Sequence, residues 1–296
     1  MKTALHTVSY AGVWIGQHRL TVEQIISRAA EFGYDGIMLM AKRPHASVLD
    51  VNQEARARLR GLLQDKGLGL ACIAGYNDFG AGADRPDVPL LEMQIAHVTE
   101  LAGLARDLGG SLVRVFTSFE RPQLTYDQLW DRTAQALREC ARRASDFGVT
   151  VGVQNHHDLA SHSESLYALL KEIDHPNCRA MFDAWTLFLQ GDDLAAAVRR
   201  MAPYIVHTTV ADYVRRPRFV YQPQVVNFAR QHDQVKAVPP GEGEVDYRAF
   251  FKALKEVGYN GYVAYEMCSV LDGGGSEANL DRYARRFLEY FKSIAG

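Results

Sequence analysis

The sequence has no long apolar stretch and no excess of charge of one sign. Its 296 residues include 33 Lys and Arg against 35 Asp and Glu, which gives a net charge of −2 at pH 7. A protein that binds nucleic acid usually concentrates basic residues on one face, so this balance disfavours nucleic acid as a partner. No segment approaches the roughly twenty apolar residues that span a bilayer, and residues 1–12 lack the apolar core of a signal peptide. We therefore expect no membrane association.

Cysteine is scarce and widely spaced. The four cysteines, Cys72, Cys140, Cys178 and Cys268, form no Cys-x-x-Cys motif. This pattern gives no sign of a disulfide framework or a thiolate metal site, so we expect a cytoplasmic protein with reduced, mostly buried thiols. A Gly-x-Gly-x-x-Gly motif is also missing after the first predicted strand, which disfavours a dinucleotide-binding fold.

A short pattern recurs five times along the chain. An amphipathic stretch ends in a glycine, and a short apolar run follows; the glycines are Gly33, Gly67, Gly109, Gly148 and Gly258. Glycine just past a helix adopts the left-handed conformation without penalty, and the apolar run after it is typical of a strand buried on both faces. The repetition predicts successive βα units.

The periodicity predicts eight strands that alternate with eight helices. The predicted strands are 5–9, 36–40, 68–74, 112–116, 150–154, 179–182, 205–209 and 262–266. The predicted helices are 22–32, 52–66, 90–108, 126–147, 163–173, 194–201, 247–257 and 277–293. This number of units, with no linker or change in composition, predicts an α/β protein whose residues 1–296 form a single (β/α)₈ TIM barrel domain.

Two predicted loops are longer than their connections require, residues 75–89 after the third strand and residues 212–246 after the seventh. In such a barrel the loops after the strands form the active-site face. The second loop carries Arg215, Arg216 and Tyr221, which suit a hydroxylated or aromatic ligand. A solvated crossover with its own small packing cluster is an equally good interpretation of this segment.

Four successive predicted strands end in a polar side chain at the same rim: Gln154, Asp183, His207 and Glu266. Each has a simple alternative explanation, such as a helix cap for Asp183 or a buried amide for Gln154. Together, two carboxylates, an amide oxygen and an imidazole would be costly to bring together unless a cation joined them. Oxygen and nitrogen ligands without thiolates suit Mn²⁺, Mg²⁺ or Co²⁺, with Zn²⁺ also compatible. The pattern predicts a divalent metal site.

These strand ends, together with segments 240–247 and 254–266, resemble the xylose isomerase-like TIM barrel superfamily. This superfamily contains sugar isomerases, ketose 3-epimerases, inosose dehydratases and endonuclease IV-type repair enzymes. The resemblance implies that Gln154, Asp183, His207 and Glu266 are the metal ligands. It also places Arg215 and Arg216 near the position of a substrate-binding arginine in the ketose 3-epimerases.

The sequence departs from that family at two positions. The first ligand is usually glutamate but is Gln154 here, and Thr186 replaces a histidine of the epimerases. An amide cannot accept a proton at neutral pH, so we expect the metal to polarise a carbonyl while epimerisation by two glutamates is lost. Strand alternation places His156 on the same side as Gln154. His156 is therefore a candidate base, or a residue that hydrogen-bonds the substrate, beside Glu266 as the second catalytic residue.

The sequence thus predicts a metal-dependent sugar isomerase or epimerase that removes a proton next to a sugar carbonyl. The alternative is a lyase, because residues 5–14 and 35–45 resemble barrel subunits of C-glycoside deglycosidases, which eliminate the aglycone from 3-oxo-glucosides and work with a smaller subunit. A repair endonuclease is disfavoured by the near-zero net charge, and a non-catalytic subunit or ligand sensor by the retained ligands. We expect a homo-oligomer or a complex with a smaller subunit. The predicted substrate-binding residues are His6, Trp185, Asp212, Arg215 and Arg216.

Overall fold

Eight parallel strands close into a barrel in the computed structural model, which describes residues 1–295. The order around the barrel is β1, β10, β7, β6, β5, β4, β3, β2. The strands are β1 (Lys2–His6), β2 (Gly36–Met40), β3 (Gly69–Ala74), β4 (Leu112–Val115), β5 (Thr150–Gln154), β6 (Cys178–Met181), β7 (Ile205–Val210), β8 (Asp212–Gln222), β9 (Asn227–Val238) and β10 (Tyr262–Tyr265). The TIM barrel prediction is confirmed.

The helices surround the barrel, and none within residues 1–295 is long and apolar enough to cross a membrane. They are α1 (Val22–Phe32), α2 (Gln53–Asp65), α3 (Leu90–Asp107), α4 (Tyr126–Ser145), α5 (Ser163–Ile173), α6 (Ala184–Gln190), α7 (Leu194–Met201), α8 (Tyr247–Glu256) and α9 (Glu277–Ala295). Each glycine of the recurrent pattern has a left-handed backbone, with φ between 67° and 86°. The predicted joint between helix and strand is therefore correct at all five positions.

Strand β1 and helix α6 differ from the sequence prediction. β1 spans Lys2–His6 and not residues 5–9; it ends at His6 because the imidazole accepts a hydrogen bond from the Val8 N–H and starts a 3₁₀ turn where the strand was expected to continue. Helix α6 was not predicted, since its seven residues are almost all apolar and show no helical periodicity. Gly191 ends α6 in the left-handed conformation.

The segment 212–246, which was expected to be a loop, is mostly an antiparallel hairpin made of β8 and β9. A register shift occurs between Arg216 and Arg218, where Pro217 has no N–H to donate to the partner strand. The outer half of the hairpin exposes Phe219 and Tyr221. Residues 75–89 do form a loop, as predicted.

Side chains alternate between the barrel interior and the outer core that contacts the helices. On β4, Val113 and Val115 belong to the outer core, whereas Leu112 packs inside the barrel, so Arg114 must also point inward. The strand amino ends are filled by Tyr262, whose ring packs against the interior cluster. A side chain on the neighbouring Gly69 would overlap the Tyr262 hydroxyl.

Candidate active site

A cavity of about 460 Å³ opens at the carboxyl ends of the barrel strands. Its walls carry the aromatic side chains of Trp14, Tyr76, Phe116 and Trp185, and Glu266 reaches it from the end of β10. These residues come from different loops that the strands bring together. The arrangement matches the usual position of active sites in TIM barrels.

Three of the predicted metal ligands, Gln154, Asp183 and His207, are almost completely buried, and the fourth, Glu266, lines the cavity. Gln154 ends β5, Asp183 precedes α6, His207 lies within β7 and Glu266 follows β10. The Gln154 side-chain nitrogen donates a hydrogen bond to Asp183 Oδ2 at 2.5 Å. The backbone N–H of Thr209 donates to Asp183 Oδ1 at 2.6 Å. The fold therefore brings Gln154 into direct contact with Asp183.

Asn155 fixes the position of Asp183. Its side-chain nitrogen donates to the Asp183 carbonyl at 3.0 Å, and its side-chain oxygen accepts from the Asp183 N–H at 2.7 Å. Burial, and after it the nearby Glu266 carboxylate, raises the pKa of Asp183 to about 7. Burial also raises the pKa of Glu266. Two buried carboxyl groups that disfavour ionisation together indicate that a positive charge would stabilise the site.

Several buried polar atoms at this site have no hydrogen-bond partner. They are Gln154 Oε1, both ring nitrogens of His207, Glu266 Oε2 and His6 Nε2. Burial lowers the pKa of His207 to about 3, so its ring is neutral and keeps a lone pair for a ligand. These oxygen and nitrogen donors have the chemistry that a divalent metal requires. Within residues 1–295, however, no three His, Cys, Asp or Glu side chains are close enough together to form a metal-binding group. A metal ion would therefore need Gln154 as a ligand or a closer approach of the other three.

His156 lies in the cavity wall, as expected from its position two residues after Gln154. Its Nδ1 accepts a hydrogen bond from the backbone N–H of His157 at 2.7 Å. Burial, followed by the charges of His157 and Arg114, lowers the pKa of His156 to about 3, so the ring is neutral at pH 7. Because Nδ1 is an acceptor, a neutral ring carries its proton on Nε2. This hydrogen bond favours a donor role for His156 over the base role.

The predicted substrate-binding residues fall into two groups. Trp185 lines the cavity, and His6 lies beneath it with Nε2 3.5 Å from a Glu266 oxygen. Asp212, Arg215 and Arg216 do not line it, so the structure does not support their predicted contact with substrate.

Each of these three side chains is engaged elsewhere. The Asp212 carboxylate accepts backbone N–H bonds from Gly241 at 2.8 Å and Gly243 at 3.0 Å, which fixes the loop before α8. Arg215 donates to the Phe188 carbonyl and packs on the Phe188 ring. Arg216 is exposed on the hairpin.

The sequence analysis missed three residues at this site. Arg114 is 1% exposed in the barrel interior, Lys42 lies in the cavity wall, and Asn155 positions Asp183. Arg114 could have been found, because it is the only charged residue in the apolar strand Leu112–Val115 and a charge in a buried strand needs a partner. Lys42 and Asn155 follow strands without any pattern that distinguishes them from ordinary loop residues.

Residues 26–293 match the family described as the xylose isomerase-like TIM barrel. The chain is 26% identical over 264 residues to the 3-dehydroshikimate dehydratase of Bacillus anthracis, covering 86% of this chain and 88% of the relative. It is 22% identical over 302 residues to the fructoselysine 3-epimerase of Escherichia coli O157:H7, covering 99% and 98%. The structure of D-psicose 3-epimerase from Clostridium cellulolyticum H10, solved with D-tagatose, superposes with a TM-score of 0.76 at 18% identity, covering 100% of this chain and 99% of that one.

Proposed function

We propose that this chain, which belongs to the xylose isomerase-like TIM barrel family, is an enzyme that moves a proton next to the carbonyl group of a sugar or a similar polyhydroxylated ketone. One observation carries the proposal. Glu266 and His156 line the same cavity, directly above the buried cluster of Gln154, Asp183 and His207. An acceptor and a donor of protons therefore face the space that a substrate would occupy. The sugar epimerase and dehydratase relatives support this class of chemistry.

The proposal includes a divalent metal, Mn²⁺ in the first place, with Mg²⁺, Co²⁺ or Zn²⁺ as alternatives. Gln154, Asp183, His207 and Glu266 would hold it through the lone pairs that lack partners. Such an ion would polarise the carbonyl oxygen of the substrate and so acidify the neighbouring C–H group.

Glu266 is our candidate for the base. Its Oε2 is unpartnered, and burial raises its pKa, which makes the carboxylate a stronger proton acceptor. The other oxygen lies 3.5 Å from Nε2 of His6, which orients the group. His156 would donate a hydrogen bond from Nε2 to a substrate oxygen, which assists the same step.

Gln154 limits which reaction follows proton removal. It cannot take a proton from the opposite face of the substrate, and its amide nitrogen is already bonded to Asp183. We therefore propose isomerisation with Glu266 as the only carboxylate base, or epimerisation in which Glu266 removes the proton and a group other than Gln154, such as Nε2 of His156, returns a proton to the opposite face of the substrate.

A second candidate is elimination of the aglycone from a 3-oxo-glycoside. It also needs only one base, because the leaving group departs once the neighbouring proton has been removed. The aromatic walls formed by Trp14, Tyr76, Phe116 and Trp185 favour this reaction, since a cavity of about 460 Å³ has room for an apolar group beside the sugar.

The test is hydrogen exchange in D₂O, followed by NMR at the carbon next to the carbonyl of D-fructose and of an aryl 3-oxo-glucoside. Protein treated with EDTA should be inactive, and Mn²⁺ should restore exchange. E266Q should lower the rate by about 10²–10⁴-fold, whereas E289Q, an exposed glutamate on α9, should not. A new sugar signal identifies isomerisation, and a released phenol identifies elimination. Exchange that is indifferent to both EDTA and E266Q would contradict the proposal.

We further propose that two copies of this chain associate through the hairpin. Tyr221 and Phe228 lie on one face with ring centroids 5.2 Å apart and are more than half exposed. The hairpin carries five basic and two acidic residues, whereas the rest of the chain carries 28 basic and 33 acidic residues, so charge favours contact between the hairpin and the body of another copy over contact between two hairpins. Light scattering should show a dimer that Y221S/F228S converts to a monomer, with the exposed M93S as control. A monomeric wild type would overturn this and favour a smaller subunit of different sequence.

A further inference from the structure

Arg114 is a buried cation that forms no ion pair within residues 1–295. Its side chain points into the barrel from β4 and is 1% exposed, and neither Nε nor Nη1 has a hydrogen-bond partner. The guanidinium lies 3.9 Å from the Phe116 ring centroid and 4.7 Å from that of Tyr76. Contacts between a cation and an aromatic ring contribute about 2 kcal/mol when desolvated. An unpaired buried charge costs several kcal/mol, so the rings alone do not offset it.

Lys42 places a second cation close to the same ring, that of Tyr76. Its Nζ lies 3.8 Å from the Tyr76 ring centroid, and the side chain lines the cavity. Burial, followed by the charge of Arg114, lowers the pKa of Lys42. The nearest acidic side chain in sequence, Asp50, is paired with Arg43. The Tyr76 ring therefore lies close to two cations.

The two acidic side chains that line the cavity already have other interactions or roles. Asp78 lines the cavity but forms an ion pair with Arg121. Glu266 faces the cavity floor beside His6, where it is our candidate base and metal ligand. Of the two acidic residues that line the cavity, only Glu266 is left to balance Lys42 and Arg114, so this wall keeps an excess of positive charge.

We propose that this wall binds an oxyanion of the substrate, a carboxylate or a phosphate, at a position separate from the reacting carbonyl. Lys42 would contact the anion from the cavity, and Arg114 would support it from behind Tyr76 and Phe116. The substrate would then be an acidic sugar or a sugar phosphate and not a neutral sugar. This inference rests on the proposed function, since it assigns the substrate class for the same cavity.

The experiment compares three ligands that differ only at C6: D-fructose, D-fructuronate and D-fructose 6-phosphate. Their dissociation constants are measured by calorimetry with EDTA-treated and with Mn²⁺-loaded protein, so the readout is binding and not turnover. At least one anionic ligand should bind at least about tenfold more tightly than D-fructose, as hydrogen bonds to charged groups do. The tighter of the two identifies the oxyanion.

Variants test which residues supply the preference. K42M should remove the tenfold advantage of the anionic ligand over D-fructose. R114M should reduce the preference for the anionic ligand over D-fructose, and R114K should keep part of that preference. If R114M does not fold, the affinities of R114K and K42M test the inference. The control is K171M, which removes a surface lysine that also lies near a tyrosine ring, Tyr167.

The outcomes separate this inference from the proposed function. If D-fructose binds as tightly as both anions, or if K42M retains the preference, the anion site does not exist while the proposed function stands. If none of the three ligands binds in either metal state, this inference fails, and the D₂O exchange experiment with the aryl 3-oxo-glucoside decides the proposed function separately.

Discussion

The side-chain nitrogen of Gln154 donates a 2.5 Å hydrogen bond to the carboxylate of Asp183. A glutamate at position 154 would instead place two carboxylates against each other in a buried site. We expect Q154E to lower the melting temperature of EDTA-treated protein at pH 7, because the like charges repel. Mn²⁺ should then stabilise Q154E more than the wild type, and a tenfold gain in affinity corresponds to about 1.4 kcal/mol.

Differential scanning fluorimetry across a Mn²⁺ titration measures both effects. The control is Q190E, since Gln190 also donates a side-chain hydrogen bond but to Ser161 at the surface. Equal Mn²⁺ shifts in wild type and Q154E would show that residue 154 is not a ligand.

The second prediction concerns the role of His156. Because Nδ1 is held by the His157 N–H, the ring can donate but is poorly placed to accept. H156Q keeps a donor nitrogen and should retain part of the D₂O exchange rate, whereas H156F should lose it by about 10²-fold or more. If H156Q is as inactive as H156F while both bind substrate normally, His156 acts as a base.

The third prediction separates a structural role of Asp212 from substrate binding. Its two oxygens accept backbone N–H groups, so in D212N the amide nitrogen must face at least one donor, Gly241, Gly243 or Tyr213. We expect D212N to lower the free energy of unfolding by about 1–3 kcal/mol and to leave ligand affinity unchanged. Urea denaturation and calorimetry measure these quantities, with the exposed D65N as control. If D212N binds ligand more weakly at unchanged stability, Asp212 binds substrate, as the sequence predicts.

The fourth prediction is a pH dependence that originates away from the metal ligands. His45 is buried, with its ring nitrogens 3.1 Å from Thr7 Oγ1 and 3.2 Å from the Leu20 carbonyl, and burial lowers its pKa to about 4. Since the unfolded ring titrates near 6.5, the unfolded state binds more protons between pH 6.5 and 4. The contribution of His45 is therefore complete above pH 6.5 and is lost as the pH falls to 4, by up to about 3 kcal/mol.

Unfolding in urea at several pH values tests this. H45Q should show a shallower loss of stability between pH 6.5 and 4 than the wild type, while H232Q, at an exposed hairpin position, should match the wild type. If the free energy of unfolding falls equally with pH in H45Q and in the wild type, His45 is not the source of this pH dependence.

Much of the fold could be predicted from the sequence because its signals are local. The glycine after each helix and the buried apolar run after it gave β2 and β5 with the observed bounds. The hairpin could not be predicted in this way, since residues such as Phe219 and Val220 are exposed on both of its faces and show no alternation. α6 was missed because a seven-residue apolar segment does not reveal a helical period.

The site was predictable where a polar residue interrupts an apolar pattern, as Gln154 and Glu266 do at strand ends. The hydrogen-bond partner of each polar side chain was not predictable, because it depends on distances between segments that are far apart in sequence. The sequence predicts that Asp212 binds substrate, yet its carboxylate accepts a hydrogen bond from the backbone N–H of Gly241, 29 residues later in the chain. Arg114 stands in a strand that otherwise matched the buried pattern, and only the closed barrel shows that its Nε and Nη1 have no hydrogen-bond partner.

Tyr262 closes one end of the barrel interior, so ligands can enter and leave only at the other end. Its ring fills the strand amino ends, so the layer that contains Gln154, Asp183 and His207 meets solvent through the cavity at the other end. Whatever occupies that layer must enter before the substrate that covers it and leave after it. The protein should accordingly bind its ligands in a compulsory order, and a saturating substrate should slow the release of anything held beneath it.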